Sequence, residues 1–553
     1  MITPSTDVFL LKVPLEIDNL NQLTFANAEA QYNYFSSLPK LELGDDFTYQ
    51  RKDGTLRVNA LYDNILEYNY VMYKNDAYSD KWFYAYIDSM EYVNDNVTFV
   101  HITTDVWQCW QFSLNYKRTF VEREHVNDDT EGLHTIPEGL ELGEYEIVEL
   151  RDSPMYDSGL GIENWIPCFC VTKFPPNKVS NLASDGRVKG STGTIGGVYS
   201  TLYFFAPVNT TGADAVIKAY EDDTDITTDA IINVYMIPKC CVNYPDTDFT
   251  TIDDVEVGAI KNFWVSDEYH LQQPQVLAED YHPVNRKLLT YPYSYFYVTN
   301  KAGEDVVYYY EDFPFDDLGS GLKRTMNYQK RIVPSTSVSA KLYFNNYKGY
   351  EEQGTEGSQL YSYGINYAKA PVCAWTTDYY TNWLTQNGIN VYAGLITSTA
   401  SSAVQTGASI ASGDAMGAIS GGINIAGSIA QTIGEIHRAE STPPQAHGDT
   451  NTGDFGYCFQ RNSISFYMMS IRPEYARVID AYFSMYGYKV NEVKIPNITG
   501  RRNWNYVKTI GCYIEADIPQ DDLQSIKSMF NNGVTFWHNP ATFADYSQPN
   551  DII

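Results

Sequence analysis

The residues 81–87 (KWFYAYI) and 97–107 (VTFVHITTDVW) carry the clearest structural signal in this chain. In both stretches aromatic and β-branched residues recur at every second position, which is typical of half-buried β-strands. The turn-prone residues 94–96 (NDN) separate the second stretch from the strand-like residues 89–93 (SMEYV). The first 150 residues are therefore predicted to form antiparallel hairpins.

Strand-like runs continue to about residue 370, and a helix is predicted at 27–36 with Asn27 as its N-cap and Pro39 beyond its end. The chain of 553 residues contains 47 Tyr, 25 Phe and 9 Trp, and aromatic side chains suit pleated, half-buried surfaces. The predicted fold class is mainly β with a few helices (β-rich α+β). The further predicted strands are TLYFF at 201–205, VYMI at 234–237, YSYFYV at 293–298 and VVYYY at 306–310.

Two more helices are predicted in the last hundred residues. One begins at residues 472–473 (RP) and ends at Gly487, because proline favours the first turn and glycine the position after the last. The other is predicted to have Asp521 as its cap, with Gln524 three residues later, and to end at Gly533. The residues predicted to face the core are Tyr475, Ile479, Tyr482 and Tyr486 in the first and Leu523, Ile526 and Phe530 in the second.

The charge of the chain argues against nucleic-acid recognition. Sixty-nine acidic residues against 38 basic ones give a net charge of −31, and basic residues form no run longer than an adjacent pair, such as 323–324 and 501–502. Tight or sequence-specific phosphate binding requires clustered Lys and Arg. The same excess of carboxylates lets a nucleic acid pass without adhering.

No stretch has the spacing of a catalytic or cofactor site. Residues 318–321 (LGSG) lack the outer glycines of a nucleophile elbow, and residues 189–192 (KGST) do not have the order of a phosphate-binding loop. The acidic residues at 222–225 and 246–248 lack a calcium-binding loop of twelve residues, which favours solvated loops over a calcium site. The sequence therefore predicts no enzyme activity, metal or cofactor.

The cysteines and the N-terminus indicate where the chain folds. The eight cysteines lack the C-x-x-C spacing of zinc or redox sites and are predicted to be mostly buried thiols. Residues 1–15 lack the basic and apolar regions of a secretion signal. Synthesis and folding in a cytoplasm are expected.

Residues 391–434 differ in composition from all that surrounds them. They contain nine Ala, eight Gly, seven Ser, seven Ile and a single charged residue, Asp414. So few bulky side chains cannot fill a core, and so little charge is unusual for a solvated linker. Two interpretations stand, a flexible loop and a conditionally membrane-active segment.

Small residues recur at every fourth position in this segment, which on a helix forms a stripe that permits close packing in a membrane. Against a plain transmembrane helix stand several polar residues and the lack of 18 strongly apolar residues in a row. The residues predicted to form the membrane-active loop are Leu395, Ile396, Val404, Ile410, Gly413, Met416, Gly417, Ile419, Gly421, Gly422, Ile423, Ile425, Ala426, Ile429, Ala430 and Ile433.

Both ends of the chain resemble the distal tail tube protein, or tail knob protein, of small short-tailed bacteriophages of the Picovirinae type. Between the two ends only KLLTYPYSY at 287–295 is similar. The matching pieces are QYNYF at 31–35, NDAYSDKWFYAYI at 75–87, VTFVHITTDVWQCW at 97–110, FVEREHV at 120–126, EGLELGEYEIV at 138–148, YGYKVNEVKIPN at 486–497, NYVKTIGCYIEADI at 505–518 and DDLQSIKSMFNNGVTFWH at 521–538.

The resemblance implies four regions. Residues 1–150 and 441–553 are expected to join in a tube domain with tail-tube-like β-barrel character, and 151–385 to form an inserted β-rich knob domain. Residues 386–440 are expected to be the long hydrophobic loop. Six copies would close into a ring, which also removes exposed sheet edges.

The implied function is that of a non-enzymatic structural protein of the virion. DNA would pass through the lumen of a homohexamer without sequence-specific binding, and the loop would plug the tube and then insert into the host bacterial membrane to form a passage. Expected partners are the other tail proteins, namely the proximal tube or lower collar and the tail-tip proteins. The chain would be assembled in the host cytoplasm into the distal tail, whose tip reaches the host membrane.

Two alternatives remain open from the sequence. Acidic pairs and the aromatic residues Trp375 and Trp383 are compatible with a tail-associated hydrolase of cell wall or polysaccharide. A knob that binds a host receptor without acting on a membrane is also compatible with the residues between 151 and 385.

Overall fold

A computed structural model describes residues 5–47, 54–75, 81–155, 165–191, 194–195, 198–199, 202–209, 212–225, 230–245, 248–315, 323–334, 338–349, 364–367, 375–376, 446–447 and 463–553. The chain divides into two compact units, and both are discontinuous in sequence. Unit 1 consists of Met1–Glu146, Val276–Ser294 and Ser470–Ile553, and unit 2 of Ile147–Gln275 and Tyr295–Met469. The fold is mainly β with a few helices, as predicted.

Unit 1 combines two main sheets with five helices in its described residues. The helices are α1 (Ala28–Ser37), α2 (Tyr62–Ile65), α3 (Val106–Trp110), α5 (Pro473–Tyr486) and α6 (Gln520–Asn532). The strands are β1 (Thr6–Leu11), β2 (Asn21–Leu23), β3 (Lys40–Phe47), β4 (Thr55–Val58), β5 (Tyr70–Asn75), β6 (Trp82–Asn94), β7 (Val97–Thr104), β8 (Asn115–Tyr116), β9 (Thr119–Glu124), β30 (Tyr488–Lys494), β31 (Trp504–Ile510), β32 (Ile514–Glu515) and β33 (Val534–Trp537).

The first sheet has the order β3-β1-β5-β6-β7-β4 and is antiparallel throughout. The predicted hairpin is confirmed, because β6 and β7 pair along their length and Asn94 faces Val97 across the turn. The edge strands β3 and β4 follow one another in the chain, and Leu41 and Leu56 pack in one apolar cluster with the central strands. The sheet is curled, and its apolar cluster joins the edge strands to the central ones.

Helix α1 covers the other face of the central strands. Its Phe35 stacks on Tyr70 at 5.6 Å between ring centroids and packs on Tyr84 at 4.7 Å. Asn27 is its N-cap, as predicted, and accepts a hydrogen bond from the Ala30 amide at 2.8 Å. Both faces of β5 and of the first half of β6 are thus buried, which explains their near-continuous aromatic and aliphatic sequence.

The second sheet of unit 1 joins the two ends of the chain in the order β2-β33-β31-β9-β30. Helix α6 packs on it through Leu523, Ile526 and Phe530, the residues predicted to face inward. Helix α5 buries Ala476, Ile479, Asp480 and Phe483. Its predicted stripe is correct for Ile479 only, because Tyr475, Tyr482 and Tyr486 lie half-buried beside the buried face.

Two predicted element ends are wrong by a few residues. Strand β7 ends at Thr104, because the buried Asp105 carboxylate accepts a hydrogen bond from the Gln108 amide at 3.0 Å and caps α3 instead. Helix α6 begins at Gln520 after Pro519, and Asp521 lies in its first turn without acting as a cap. At Asp105 a helix cap interrupts a strand-like run of residues, and at Asp521 a residue that favours the cap position lies in the first turn instead.

Unit 2 contains three larger sheets and helix α4 (Gly212–Glu221). Its core contains Phe296, Tyr308, Phe344 and Phe466, whose rings pack at centroid distances of 4.8 to 6.2 Å. Its strands, a few of whose end residues belong to unit 1, are β10 (Tyr145–Pro154), β11 (Trp165–Val171), β12 (Val179–Ser180), β13 (Thr194–Ile195), β14 (Val198–Tyr199), β15 (Tyr203–Pro207), β16 (Ile231–Pro238), β17 (Val242–Asn243), β18 (Thr250–Ile252), β19 (Val255–Ile260), β20 (Trp264–Val265), β21 (Tyr269–Gln272), β22 (Ser294–Thr299), β23 (Asp305–Tyr308), β24 (Thr325–Pro334), β25 (Val338–Phe344), β26 (Gly364–Asn366), β27 (Trp375–Thr376), β28 (Ala446–His447) and β29 (Ser463–Ile471).

Candidate functional site

The sixteen residues predicted to form the membrane-active loop, from Leu395 to Ile433, lie outside the described residues. The structure does describe residues 375–376 before this segment and 446–447 after it. Strands β27 and β28 pair antiparallel, with Trp375 opposite His447 and Thr376 opposite Ala446. Both ends of the stretch 377–445 are therefore held at one place in unit 2.

A buried ionic cluster joins three separate parts of the chain in unit 1. The Glu138 carboxylate is fully buried and contacts the Arg123 guanidinium and the Lys287 ammonium, whose side chains are 11% and 2% exposed. It also accepts a hydrogen bond from the Lys489 amide at 3.0 Å. Burial lowers the pKa of Lys287, and Glu138 opposes that shift. The cluster therefore ties the segment 276–294 to strands β9 and β30.

A second buried carboxylate fixes the same segment to helix α5. Asp480 accepts hydrogen bonds from the Tyr281 hydroxyl at 2.8 Å and from the amides of Val284 and Asn285 at 2.8 and 3.0 Å. The Asn285 side chain donates to it as well, at 2.8 Å. One buried carboxylate thus satisfies the polar groups of three residues of the segment. An aspartate between Ile479 and Phe483 on an apolar helix face was the sequence signal for this contact.

A polar cavity of about 570 Å³ lies next to these contacts in unit 1. Its walls include His125, Asp129, Arg501, Trp504 and the C-terminal residues 546–552. The Arg501 guanidinium donates to the carbonyl groups of Val126 and Asn550, at 2.8 and 3.3 Å. These bonds hold the last residues of the chain against β9 and β31.

His125 in the wall of this cavity makes hydrogen bonds that hold the backbone in place. His125 accepts from the Tyr506 amide through Nδ1 at 2.8 Å and donates through Nε2 to the Ser484 carbonyl at 3.1 Å. Burial, followed by the nearby Arg501, lowers the pKa of His125 to about 3. A neutral imidazole with both nitrogens engaged by the backbone has no hydrogen bond to the Ser484 hydroxyl that would activate it as a nucleophile.

The acidic and thiol groups noted in the sequence behave as ordinary structural groups where they are described. The Asp223 carboxylate accepts from the amides of Asn177 and Asp225 at 3.1 and 2.9 Å, which closes a turn. Among the described residues no three His, Cys, Asp or Glu side chains converge as metal ligands. Five of the six described cysteines are buried, as predicted, and Cys240 is half-buried.

A helix that crosses a bilayer requires about 20 predominantly apolar residues. In the part of the chain that the structure covers, no helix is long and apolar enough to cross a membrane.

Comparisons with known proteins agree with the fold. Residues 256–551 match the family model for the C-terminal domain of tail knob protein gp9 of Bacillus phage phi29, and residues 4–115 match the N-terminus of the caudoviral major tail protein. The tail knob proteins gp9 of Bacillus phages phi29 and PZA are each 25% identical to this chain, over 98% of it and 98% of their own length. The tail knob protein gp9 of Bacillus phage B103 is also 25% identical, over 99% of this chain and 98% of its own.

A solved structure shows the same fold over the whole chain. The tail knob protein gp12 of bacteriophage C1 superposes with a TM-score of 0.61, covering 99% of this chain and 100% of its own, at 14% identity. Because the first family model spans more than half of the chain, the resemblance found in the sequence is confirmed. The chain belongs to the family of tail knob protein gp9 of Bacillus phage phi29, whose members are structural proteins of the virion tail.

Proposed function

We propose that six copies of this chain form a ring at the distal end of a phage tail, as the distal tube and knob through which DNA leaves the virion. In the same proposal the segment 391–434 first plugs the opening and then inserts into the host membrane. Tube, knob and loop are assigned to the regions 1–150 with 441–553, 151–385 and 386–440. The other tail proteins and the bacterial membrane are its partners.

The pairing of β27 with β28 is the observation that carries the membrane role. A segment with both ends at one place must enter a bilayer as a hairpin, with an even number of crossings. Within it, the 44 residues 391–434 divide at Asp414 into arms near 392–412 and 415–434. At about 1.5 Å per residue, helical arms of roughly 20 residues are about 30 Å long, which matches the apolar thickness of a bilayer.

The charge of the chain supports passage of DNA through the ring. With a net charge of −31, six copies present a large excess of carboxylates, and DNA that does not adhere can slide. Exposed sheet edges give a reason to close a ring, since an unpaired edge is a site of aggregation.

Leakage from liposomes tests the membrane role. The full-length chain should release a trapped dye, and a variant that lacks residues 391–434 should not. A matched control keeps the length of the segment but replaces Ile419, Ile423, Ile425 and Ile429 by serine, and it too should lose activity. Equal leakage from all three proteins would contradict the membrane role.

The carboxyl group in the middle of the segment tests the hairpin itself. If Asp414 lies in the turn and stays in water, Asp414→Asn should leave leakage unchanged between pH 5 and pH 8. If Asp414 enters the apolar core, the variant should insert more readily, because a carboxylate there is costly. Negative-stain images of the same preparations test the ring, since a monomer would contradict it.

A further inference from the structure

The hairpin of β6 and β7 projects from the first sheet of unit 1 with its outer end uncovered. Strand β5 pairs with β6 only as far as Tyr86, so residues 88–94 have no partner on that side among the described residues. Tyr92 and Val93 are 52% and 41% exposed. We call residues 88–96 the arm. Its tip is ordered by a hydrogen bond from the Tyr92 hydroxyl to the Asp95 carboxylate at 2.6 Å.

The second sheet of unit 1 has an apolar stripe on its solvent face. Phe120 of β9 lies between Val493 of β30 and Ile510 of β31, as its direct partner on both sides. The neighbouring residues Val121 and Thr509 face the core and are buried. Val493 and Ile510 are 52% and 58% exposed. We call these three apolar residues the patch, and a cluster of this kind on a sheet face marks a contact surface.

The arm is acidic, and one cation beside the patch lies outside the ion pairs of the sheet. The arm contains Asp88, Glu91 and Asp95, and no Lys or Arg occurs between residues 82 and 116. Beside the patch the exposed Arg118 guanidinium donates to the Val493 carbonyl at 3.0 Å. No ion pair among the described residues includes Arg118. In a chain with a net charge of −31, an exposed apolar stripe with an unpaired cation is unusual.

We propose that the arm of one copy docks on the patch of the next copy, which rests on the proposed ring. The two surfaces differ, so the contact is head-to-tail, and in the proposed ring it repeats from each copy to the next. Contact through side chains is favoured over strand addition, because Asn491, with φ of 46°, marks a bulge that interrupts the outer strand β30. Apolar side chains supply the buried area, and the acidic arm against Arg118 sets the register.

Disulfide trapping in the full-length chain tests the contact. Tyr92 and Val493 are equally exposed, and Tyr92→Cys with Val493→Cys should give a ladder of cross-linked copies ending at the ring. Each single variant should give no ladder. The control pair of Leu66→Cys with Val493→Cys should give none either, because Leu66 is 58% exposed but lies outside the arm. Cross-linked dimers from either single variant would show a symmetric contact and overturn the proposal.

Charge reversal gives a second readout. Glu91→Lys and Arg118→Glu should each raise the protein concentration needed for assembly about tenfold, and the double variant should return it to that of the unaltered chain. Native mass spectrometry of the unaltered chain distinguishes a failure of the arm and patch contact from a failure of the ring. Rings without the ladder would overturn only the arm and patch contact, whereas a monomeric chain would overturn this contact and the ring together.

Discussion

Replacing Glu138 by glutamine is expected to destabilise unit 1 by about 3–5 kcal/mol, the range for breaking a buried ion pair by removal of one partner. The variant would leave two cations, Arg123 and Lys287, close together without a counter-ion. Their side chains are 11% and 2% exposed, so water can compensate little of the lost attraction. The two cations would also repel one another.

The Lys287→Met variant is the comparison for Glu138→Gln, because it removes one cation of the same cluster and keeps the carboxylate. Glu138 would keep the Arg123 guanidinium and the Lys489 amide, so its charge would remain compensated. The expected cost is about 1.5–3 kcal/mol, the range for one hydrogen bond to a charged group. The double variant should be more stable than Glu138→Gln alone, because it removes one of the two unpaired cations.

Hydrogen exchange under native conditions, read by mass spectrometry in increasing urea, measures these differences by region. Peptides from β9 and α5 report on unit 1, and peptides from β24 in unit 2 serve as the internal control. Two results would refute the reasoning: a Lys287→Met variant at least as unstable as Glu138→Gln, or a double variant whose loss equals the sum of the two single losses.

Three further outcomes follow from the described contacts. Stability should fall as pH drops from 6.5 toward 3, because the unfolded His125 takes up a proton in that window and the folded one, with a pKa of about 3, does not. His125 accounts for about 2 kcal/mol of the loss at pH 5, and His125→Gln should make that part of the urea-midpoint profile shallower without flattening it, because burial also lowers the pKa of His538 to about 4. Gly487→Ala should lower stability more than Gly511→Ala, because both have φ near 65° but only the Cβ at 487 would clash with the Glu124 carbonyl; equal melting temperatures would contradict this. Asp480→Ala should expose residues 276–294 to limited proteolysis, since it leaves the amides of Val284 and Asn285 without acceptors, and unchanged cleavage would count against that role.

Local patterns in the sequence were sufficient for the strands and helices whose signals do not depend on distant residues. The alternation in 81–87 and 97–107 predicted β6 and β7, and Asn27, Pro473 and Gly487 predicted helix ends. Each of these depends on backbone conformation and on burial of one face, which a short stretch determines by itself. The error at Asp105 arose because the strand-like alternation continues past the aspartate that caps α3, and the error at Asp521 arose because an aspartate is suited both to a cap and to a first turn.

The contacts that join distant segments could not be predicted in the same way. Nothing in the composition of 276–294 indicates that these residues belong with the two ends of the chain, although KLLTYPYSY within them resembled the same phage family. Glu138 and Lys287 look like surface residues in sequence, because charged side chains usually are. Only the fold brings them together with Arg123 in a buried cluster.

The composition of 391–434 gives a physical reason why the proposed insertion requires a ring. Seven Ile, one Leu and two Val favour insertion by about 0.3–0.6 kcal/mol each, or about 3–6 kcal/mol per copy. One carboxylate in the apolar core would cancel about 3 kcal/mol of that, and the Ser, Asn and Gln side chains oppose insertion further. A single hairpin is therefore close to balance between water and bilayer, whereas six hairpins can turn their polar residues to a shared aqueous centre. The same near-balance allows one segment to be stored in water before ejection and to enter the membrane afterwards, which a strongly apolar segment could not do.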